Sequence, residues 1–324
     1  MIDPKIFDAD AEMKSTRDGF GEALLELGVR DERIVVLTAD VAESVRVEKF
    51  AKKFPKRFIE CGVAEQNMMG IAAGLAVCGK IPWVASYAVF SPGRSWDQLR
   101  VAVCYSNLNV KIAGCHTGLA VGPDGATHQA LEDIAITRVL PNMKVISPCD
   151  FWETKKAVMA SSDAIGPVYV RLGREKTAMI TDEGSGFEMG KAEIIYQSPV
   201  LKSQAAIIFC GPLGYQSLFA AKELEREGIG AIVVNNHTIK PMDKATILAV
   251  ATKVKGIVTV EEHQVAGGLG SAVAELLISH YPLPMEFVGM QDKFGESGKP
   301  GELLDKYGIN IEGIKEAVKR VVKR

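Results

Sequence analysis

The 324-residue chain sets 38 lysines and arginines against 40 aspartates and glutamates, for a net charge of −2, and is 47% hydrophobic and 24% charged. That balance suits an ordinary folded protein with a large core, long enough for about two domains at roughly 150 residues each. It gives no footing for nucleic acid or an anionic membrane surface, and no apolar run approaches the roughly 20 residues needed to span a bilayer.

The N-terminal "MIDPKIFDADAEMK" is acidic and polar, unlike a signal peptide, so a cytoplasmic location is expected. "RIVVLTAD" (33–40) reads as a buried strand ending at polar residues, "AEQNMMGIAAGLAVCG" (64–79) as a helix and "IPWVASY" (81–87) as a strand. "SWDQLRVAVCYS" (95–106) has helical period. "NVKIAGCH" (109–116) and "MKVISP" (143–148) are strand-like, "DFWETKKAVMASS" (150–162) is helical, and "GPVYVRLGR" (166–174) is a further strand. Such alternation predicts a parallel sheet covered on both faces. The polar, glycine-containing "DEGSGFEMGKAEIIYQSPVLKSQ" (182–204) interrupts it. A second alternation then runs from "AAIIFC" and "GYQSLFAAKELEREG" through "AIVVNN" and "GIVTVEEH" to "MEFVG". The expected fold class is α/β, with two parallel-sheet-containing domains over 1–190 and 191–324, the second with about four strands. The basic "KEAVKRVVKR" reads as a solvated helix end, where cations suit the dipole.

Cys61, Cys78, Cys104, Cys115, Cys149 and Cys210 show no CxxC or metal-finger spacing, and most lie in apolar runs such as "LAVCG" and "AIIFCG". They read as buried free thiols in a reducing compartment.

In parallel sheets, ligands collect beyond the carboxyl ends of the strands. Asp40, Tyr87, His116 and Arg174 all fall at such ends. Any one alone is a strand-ending polar residue; together they outline a crevice. Glu65 heads a run built almost wholly from Ala, Gly, Met, Ile and Leu, where a carboxylate is costly to bury. It either favours the helix dipole or exchanges a hydrogen bond with a bound heterocycle in a dry place. Gly70 and Gly74, four apart on the same helix, predict close packing against another backbone, such as a second subunit. Tyr87 and Phe90, three apart after a strand, are core filling or a stacking wall for a flat ring. "GCHTGLAVGPDGATHQALED" (114–133) holds His116, His128 and Asp124 in a glycine-rich loop, and "HQALED" is expected to open a helix. Spacings of eight and four residues match no common zinc pattern, so no metal is expected there. The histidines suit hydrogen bonding and proton movement around a polar substrate. Arg171 and Arg174, on opposite faces of a strand, are expected to differ in role, Arg171 forming a surface salt bridge. Arg17 and Ser44 pair a guanidinium with a hydroxyl, which suits a phosphate or carboxylate.

Four segments in this order, "TADVAESVR", "RFIECGVAEQNMMGIAAGLA", "VGPDGATHQALEDIAITRVLPNM" and "GPVYVRLGR", resemble the C-terminal half of transketolase. The resemblance covers nearly the whole chain: a thiamine-diphosphate pyrimidine-binding domain (about 10–180), then a transketolase C-terminal domain. It implies thiamine diphosphate bound between subunits. Glu65 would be the catalytic glutamate, hydrogen-bonding a ring nitrogen of the aminopyrimidine. Phe90 matches the stacking aromatic, and Tyr87 stands where transketolases commonly carry Phe. Asp40 matches an aspartate of the cofactor region. His116, Asp124, His128 and Arg174 match the sugar-phosphate contacts, with His128 also catalytic, and Arg17 and Ser44 match the phosphate contacts. The implied reaction moves a two-carbon ketol unit from a ketose phosphate to an aldose phosphate.

No GDG motif occurs, although thiamine enzymes hold Mg²⁺ and the diphosphate through GDG and a downstream Asn. The resemblance therefore implies a split enzyme, whose N-terminal subunit holds Mg²⁺ and joins this chain in a symmetric heterotetramer. "EEHQVAGGLG" and "TIKPMD" also resemble the family; assembly, not catalysis, is expected of that domain. Two other thiamine enzymes share features, the beta subunit of 2-oxo acid dehydrogenases and 1-deoxyxylulose-5-phosphate synthase. A non-catalytic partner-binding subunit on the same fold is the alternative of another class.

Overall fold

The computed structural model describes residues 12–324, so most of the acidic N-terminal stretch lies outside the described residues. Seven strands form the larger sheet, in the order Thr238–Lys240, Lys144–Ile146, Val168–Arg171, Lys111–Cys115, Ile81–Tyr87, Ile34–Thr38 and Phe58–Glu60. All neighbours are parallel except the first pair. The runs Ile34–Thr38 and Lys111–Cys115 are buried along their whole length, as strands covered on both faces must be. Ile34 and Val36 point to one face, with Phe20, Leu24 and Leu27 of the helix Thr16–Arg30 and Ala157 and Val158 of the helix Phe151–Asp163. Val35 and Leu37 point to the other, with Met68, Met69 and Ala72 of the helix Glu65–Val77. That second core continues without a break into Ile208, Val234 and Ile257 of the smaller sheet.

The smaller sheet has five strands rather than about four: Met285–Met290, Gly256–Gln264, Ser203–Phe209, Gly230–Asn235 and Glu193–Gln197. The extra one, "EIIYQ", runs antiparallel at the edge and is only partly buried, which is why it read as part of an irregular stretch. "TIK" crosses the other way: Thr238–Lys240, late in the chain, completes the edge of the first sheet.

Local chemistry sets the boundaries. Ser15, Asp150, Asp243 and Asn310 accept backbone N–H groups at helix starts. The helix Glu65–Val77 stops at Gly79, where φ is 81°. The Gly79 N–H donates to Ala76 O and the Lys80 N–H to Leu75 O, a paired closure that needs a left-handed residue. "SWDQLRVAVCYS" is α-helical only at Trp96–Gln98 and widens to a π-helix over Leu99–Tyr105. "HQALED" does not open a helix at its start; the helix is Asp133–Arg138. The C-terminal helix Ile311–Val322 buries Ala317, Val318 and Val321, and Lys315 pairs with Glu223, Glu227 and Glu312, so it is packed rather than merely solvated. Four cysteines are buried, and burial pushes the thiols of Cys115 and Cys210 up to about 12. Cys78 of "LAVCG" is exposed at the helix end. Among the described residues no helix is long and apolar enough to cross a membrane.

Arg171 corrects its sequence reading. It is 3% exposed, not at the surface, because its strand is central. Its Nε donates to Asp133 Oδ2 at 2.8 Å, and its Nη2 to Glu262 O at 2.8 Å and Ala130 O at 3.3 Å. The Tyr169 hydroxyl also donates to Asp133 Oδ2, at 2.6 Å. Gly114 makes room for that hydroxyl: a Cβ there would meet it at 2.2 Å. Removing one partner of such a pair strands a buried charge. Arg171→Met is expected to lower unfolding free energy by about 3–5 kcal/mol in denaturant titration, and Arg171→Met with Asp133→Leu to recover part of the loss.

Candidate active site

Tyr87 ends its strand, and the N–H groups of Phe90 and Ser91 both donate to its carbonyl; the Arg94 N–H donates to Phe90 O. This turn places Tyr87, Phe90 and Arg94 on one side. Tyr87 pairs in register with Cys115, so the next residue, His116, emerges beside it with φ of 57°. The Tyr87 and His116 rings stack with centroids 3.9 Å apart and planes 9° apart. Tyr87 and Phe90 lie 6.1 Å apart at 16°. His128 stands edge-on to both, 5.9 Å from Tyr87 and 5.4 Å from Phe90. Four predicted residues thus make one aromatic wall.

Glu65 is the first residue of its helix and 2% exposed. Its Oε2 accepts from Arg94 Nη1 at 2.7 Å, and the Arg94 guanidinium carbon also lies 4.9 Å from the centre of the Phe90 ring. An ordinary side chain, Arg94, therefore compensates the buried carboxylate, a partner that the sequence reading did not include. Arg94 was not singled out from the sequence; its spacing of four from Phe90 and seven from Tyr87 was the available signal. Among the described residues, none packs against Gly70 or Gly74 on the outer face of the helix. Gly70 and Gly74 are exposed, and a Cβ on either would meet no atom within 4 Å.

Positive charge gathers at the other end of the wall. Arg17 Nη1 donates to Ser44 O at 2.8 Å and faces His116 Nε2 at 3.3 Å. Ser44 thus supplies its carbonyl to Arg17. Arg46, also unassigned from sequence, pairs with Asp18 at 2.8 Å. Arg174 lies beyond the strand that ends at Arg171, so the opposite-face argument does not apply to it. Its Nη1 donates to Val121 O at 2.8 Å and approaches Asp124 Oδ2 at 3.4 Å. Burial, then the guanidinium charges of Arg17, Arg174 and Arg46, push His116 down to about 3. His116 is therefore neutral, and with Nε2 facing a guanidinium its proton belongs on Nδ1. Among the described residues, neither His116 Nδ1 nor Arg17 Nε, both buried, has a hydrogen-bond partner. Two stranded donors beside a guanidinium cluster fit a ligand carrying acceptor oxygens. Asp40 is exposed, with φ of 60°, and its N–H donates to Glu60 Oε1 at 2.7 Å. Among the described residues, no group of three or more His, Cys, Asp or Glu is arranged to hold a metal ion.

Residues 12–179 match the transketolase pyrimidine binding domain, and residues 190–314 the transketolase C-terminal domain. The chain belongs to the transketolase family. A protein of Methanocaldococcus jannaschii named as a transketolase C-terminal section is 44% identical over 96% of this chain and 97% of its own length. The 6-deoxy-6-sulfo-D-fructose transketolase subunit SqwH of Clostridium is 39% identical over 98% of each chain. A solved structure described as a split gene transketolase, an inactive beta4 tetramer, superposes with a TM-score of 0.86 at 42% identity, covering 95% of this chain and 98% of that one. The family implies thiamine diphosphate. The residues present fit its pyrimidine ring: Phe90 offers a face and Glu65 a buried carboxyl, and the Arg94 guanidinium already uses both.

The low pKa of His116 has a thermodynamic sign. The folded group resists a proton that the unfolded one binds below about 6.5, so its contribution is full above that pH and is lost as pH falls toward about 3. Denaturation of wild type and His116→Asn across pH 7 to 4 should show the wild-type slope steeper by up to about one proton.

Proposed function

We propose that this chain is the C-terminal subunit of a two-chain transketolase, with a pyrimidine-binding unit over 1–190 and a C-terminal unit over 191–324. It moves a two-carbon ketol unit between sugar phosphates in the cytoplasm. The observation that carries the reading is the single wall of Tyr87, Phe90, His116 and His128, with a buried carboxyl at one end and three guanidiniums at the other. Thiamine diphosphate, when bound, supplies the carbanion chemistry that a ketol transfer requires. Glu65 would hold the pyrimidine ring through its buried carboxyl, in the place that the Arg94 guanidinium takes here. Phe90 and Tyr87 exclude water from that contact. His116 donates from Nδ1 to a substrate oxygen. His128 holds or moves a proton at a substrate hydroxyl. Arg17, Arg174 and Asp124 bind the far end of the sugar, and Asp40 lies toward the cofactor.

The site is half of one. With no GDG in the sequence, Mg²⁺ and the diphosphate fall to an N-terminal partner subunit, and the open Gly70–Gly74 face supports close packing of chains in a heterotetramer. The relative described as an inactive beta4 tetramer agrees with a chain that needs its partner. Because one relative is named for a sulfonated sugar, and guanidiniums take sulfonate as readily as phosphate, both anions belong in the assay.

The test uses the complex reconstituted with the partner, thiamine diphosphate and Mg²⁺. Xylulose 5-phosphate with ribose 5-phosphate is expected to react and pyruvate is not. Glu65→Gln should lower kcat by about 10²–10³-fold, and Arg174→Ala should mainly raise KM. Turnover of pyruvate alone would point to one of the other thiamine enzymes; full activity of Glu65→Gln would mean a non-catalytic subunit.

A further inference from the structure

We infer that Glu262, from the second half of the chain, is a positioning residue for the loop that carries Asp124 at the sugar-phosphate end of the site. The inference rests on the reading of that end given above. Glu262 lies near the end of the strand Gly256–Gln264 and is 3% exposed. Its Oε1 accepts the N–H of Ala120, the second residue of the short 3-10 segment Leu119–Asp124. The loop backbone touches the carboxyl just before this: a Cβ on Gly118 would stand 2.4 Å from Glu262 Oε1. One residue after Ala120, the Val121 carbonyl takes Arg174, and Asp124 closes the same segment.

Other contacts from the second half meet the same loop. Gln129, which donates to Leu119 O, also donates to Glu296 O. Cβ atoms on Gly122 and Gly125 would press on Pro300 and Ser297. The Glu262 carbonyl is tied to Arg171, so strand, ion pair and loop form one buried unit. The second half therefore shapes the substrate end of the site, beyond the assembly role expected from sequence.

Glu262 is the charged member of this bed. It is buried, so its ionised form is costly unless something donates to it, and the loop N–H does. The charged groups facing it are Arg171 and Asp133 on the strand side. Glu175 and Lys176 line the cavity of about 500 Å³ on which it opens. Burial outweighs the rest and raises Glu262 to about 7, and the cavity gives its proton a route to solvent.

Two readouts test the inference. In hydrogen exchange on the full chain, Glu262→Ala should speed exchange in 117–125 by about ten-fold or more. Glu262→Gln should do so less, and Ile81–Tyr87 should not change. In the two-chain complex, both variants should raise KM for the ketose phosphate while thiamine diphosphate affinity stays put. Wild-type KM should climb toward that of Glu262→Gln as pH falls through about 7, with the variant flat. Unchanged exchange in 117–125 for both variants would overturn the inference. So would a loosened loop with wild-type KM. If the wild-type complex transfers no ketol unit, the proposed function fails, and the exchange result still decides whether Glu262 holds the loop.

Discussion

The pairing of Tyr87 with Cys115 across adjacent parallel strands sets the next residue, His116, over the tyrosine ring at 3.9 Å. A slip of one residue would turn every side chain of the strand to the opposite face and dismantle the wall. The register is enforced by burial on both faces: Val84 and Ile112 feed one core, Trp83 and Ala113 the other. Site geometry is thus a consequence of core packing. The loops beyond the strand ends need only short reaches to bring rings and charges together, which is where parallel sheets place their ligands.

Among the described residues, the buried carboxylates are answered by other groups. Glu65 has Arg94, Asp133 has Arg171, Glu262 has the loop amide and Glu261 has the N–H groups of Leu269 and Gly270. His116 is not a charge of this kind: surrounded by guanidiniums it is neutral, and among the described residues nothing accepts from its Nδ1, as nothing does from the neighbouring Arg17 Nε. Unpaired buried groups of this kind cost stability and persist where a ligand completes them.

Much of this was legible in the residues. Strand Ile81–Tyr87 was read to its ends, because an unbroken apolar run bounded by a glycine turn and polar residues has little freedom. Tyr87, Phe90, His116 and His128 were readable as loop residues after strands, and their convergence follows from strand order. What failed has a common cause. Arg171 looked like a surface cation because nothing local shows that its partner is Asp133, 38 residues earlier. Glu262 and Ala120 are 142 residues apart, and no spacing rule reaches that far. The edge strand Glu193–Gln197 was missed because half-buried edges lack a continuous apolar run. Local pattern reveals elements and end positions; long-range polar pairing becomes visible only once the sheets are assembled.

The central claim is that this chain holds one half of a cofactor site that a second chain completes. Calorimetric titration with thiamine diphosphate and Mg²⁺ measures it most directly, on the isolated chain and on the chain with its partner subunit. The account predicts tight binding to the pair and none of comparable strength to the isolated chain, with the difference lost when Glu65 is replaced by Ala. Equal affinity for the isolated chain and the pair, or binding indifferent to Glu65, would contradict it.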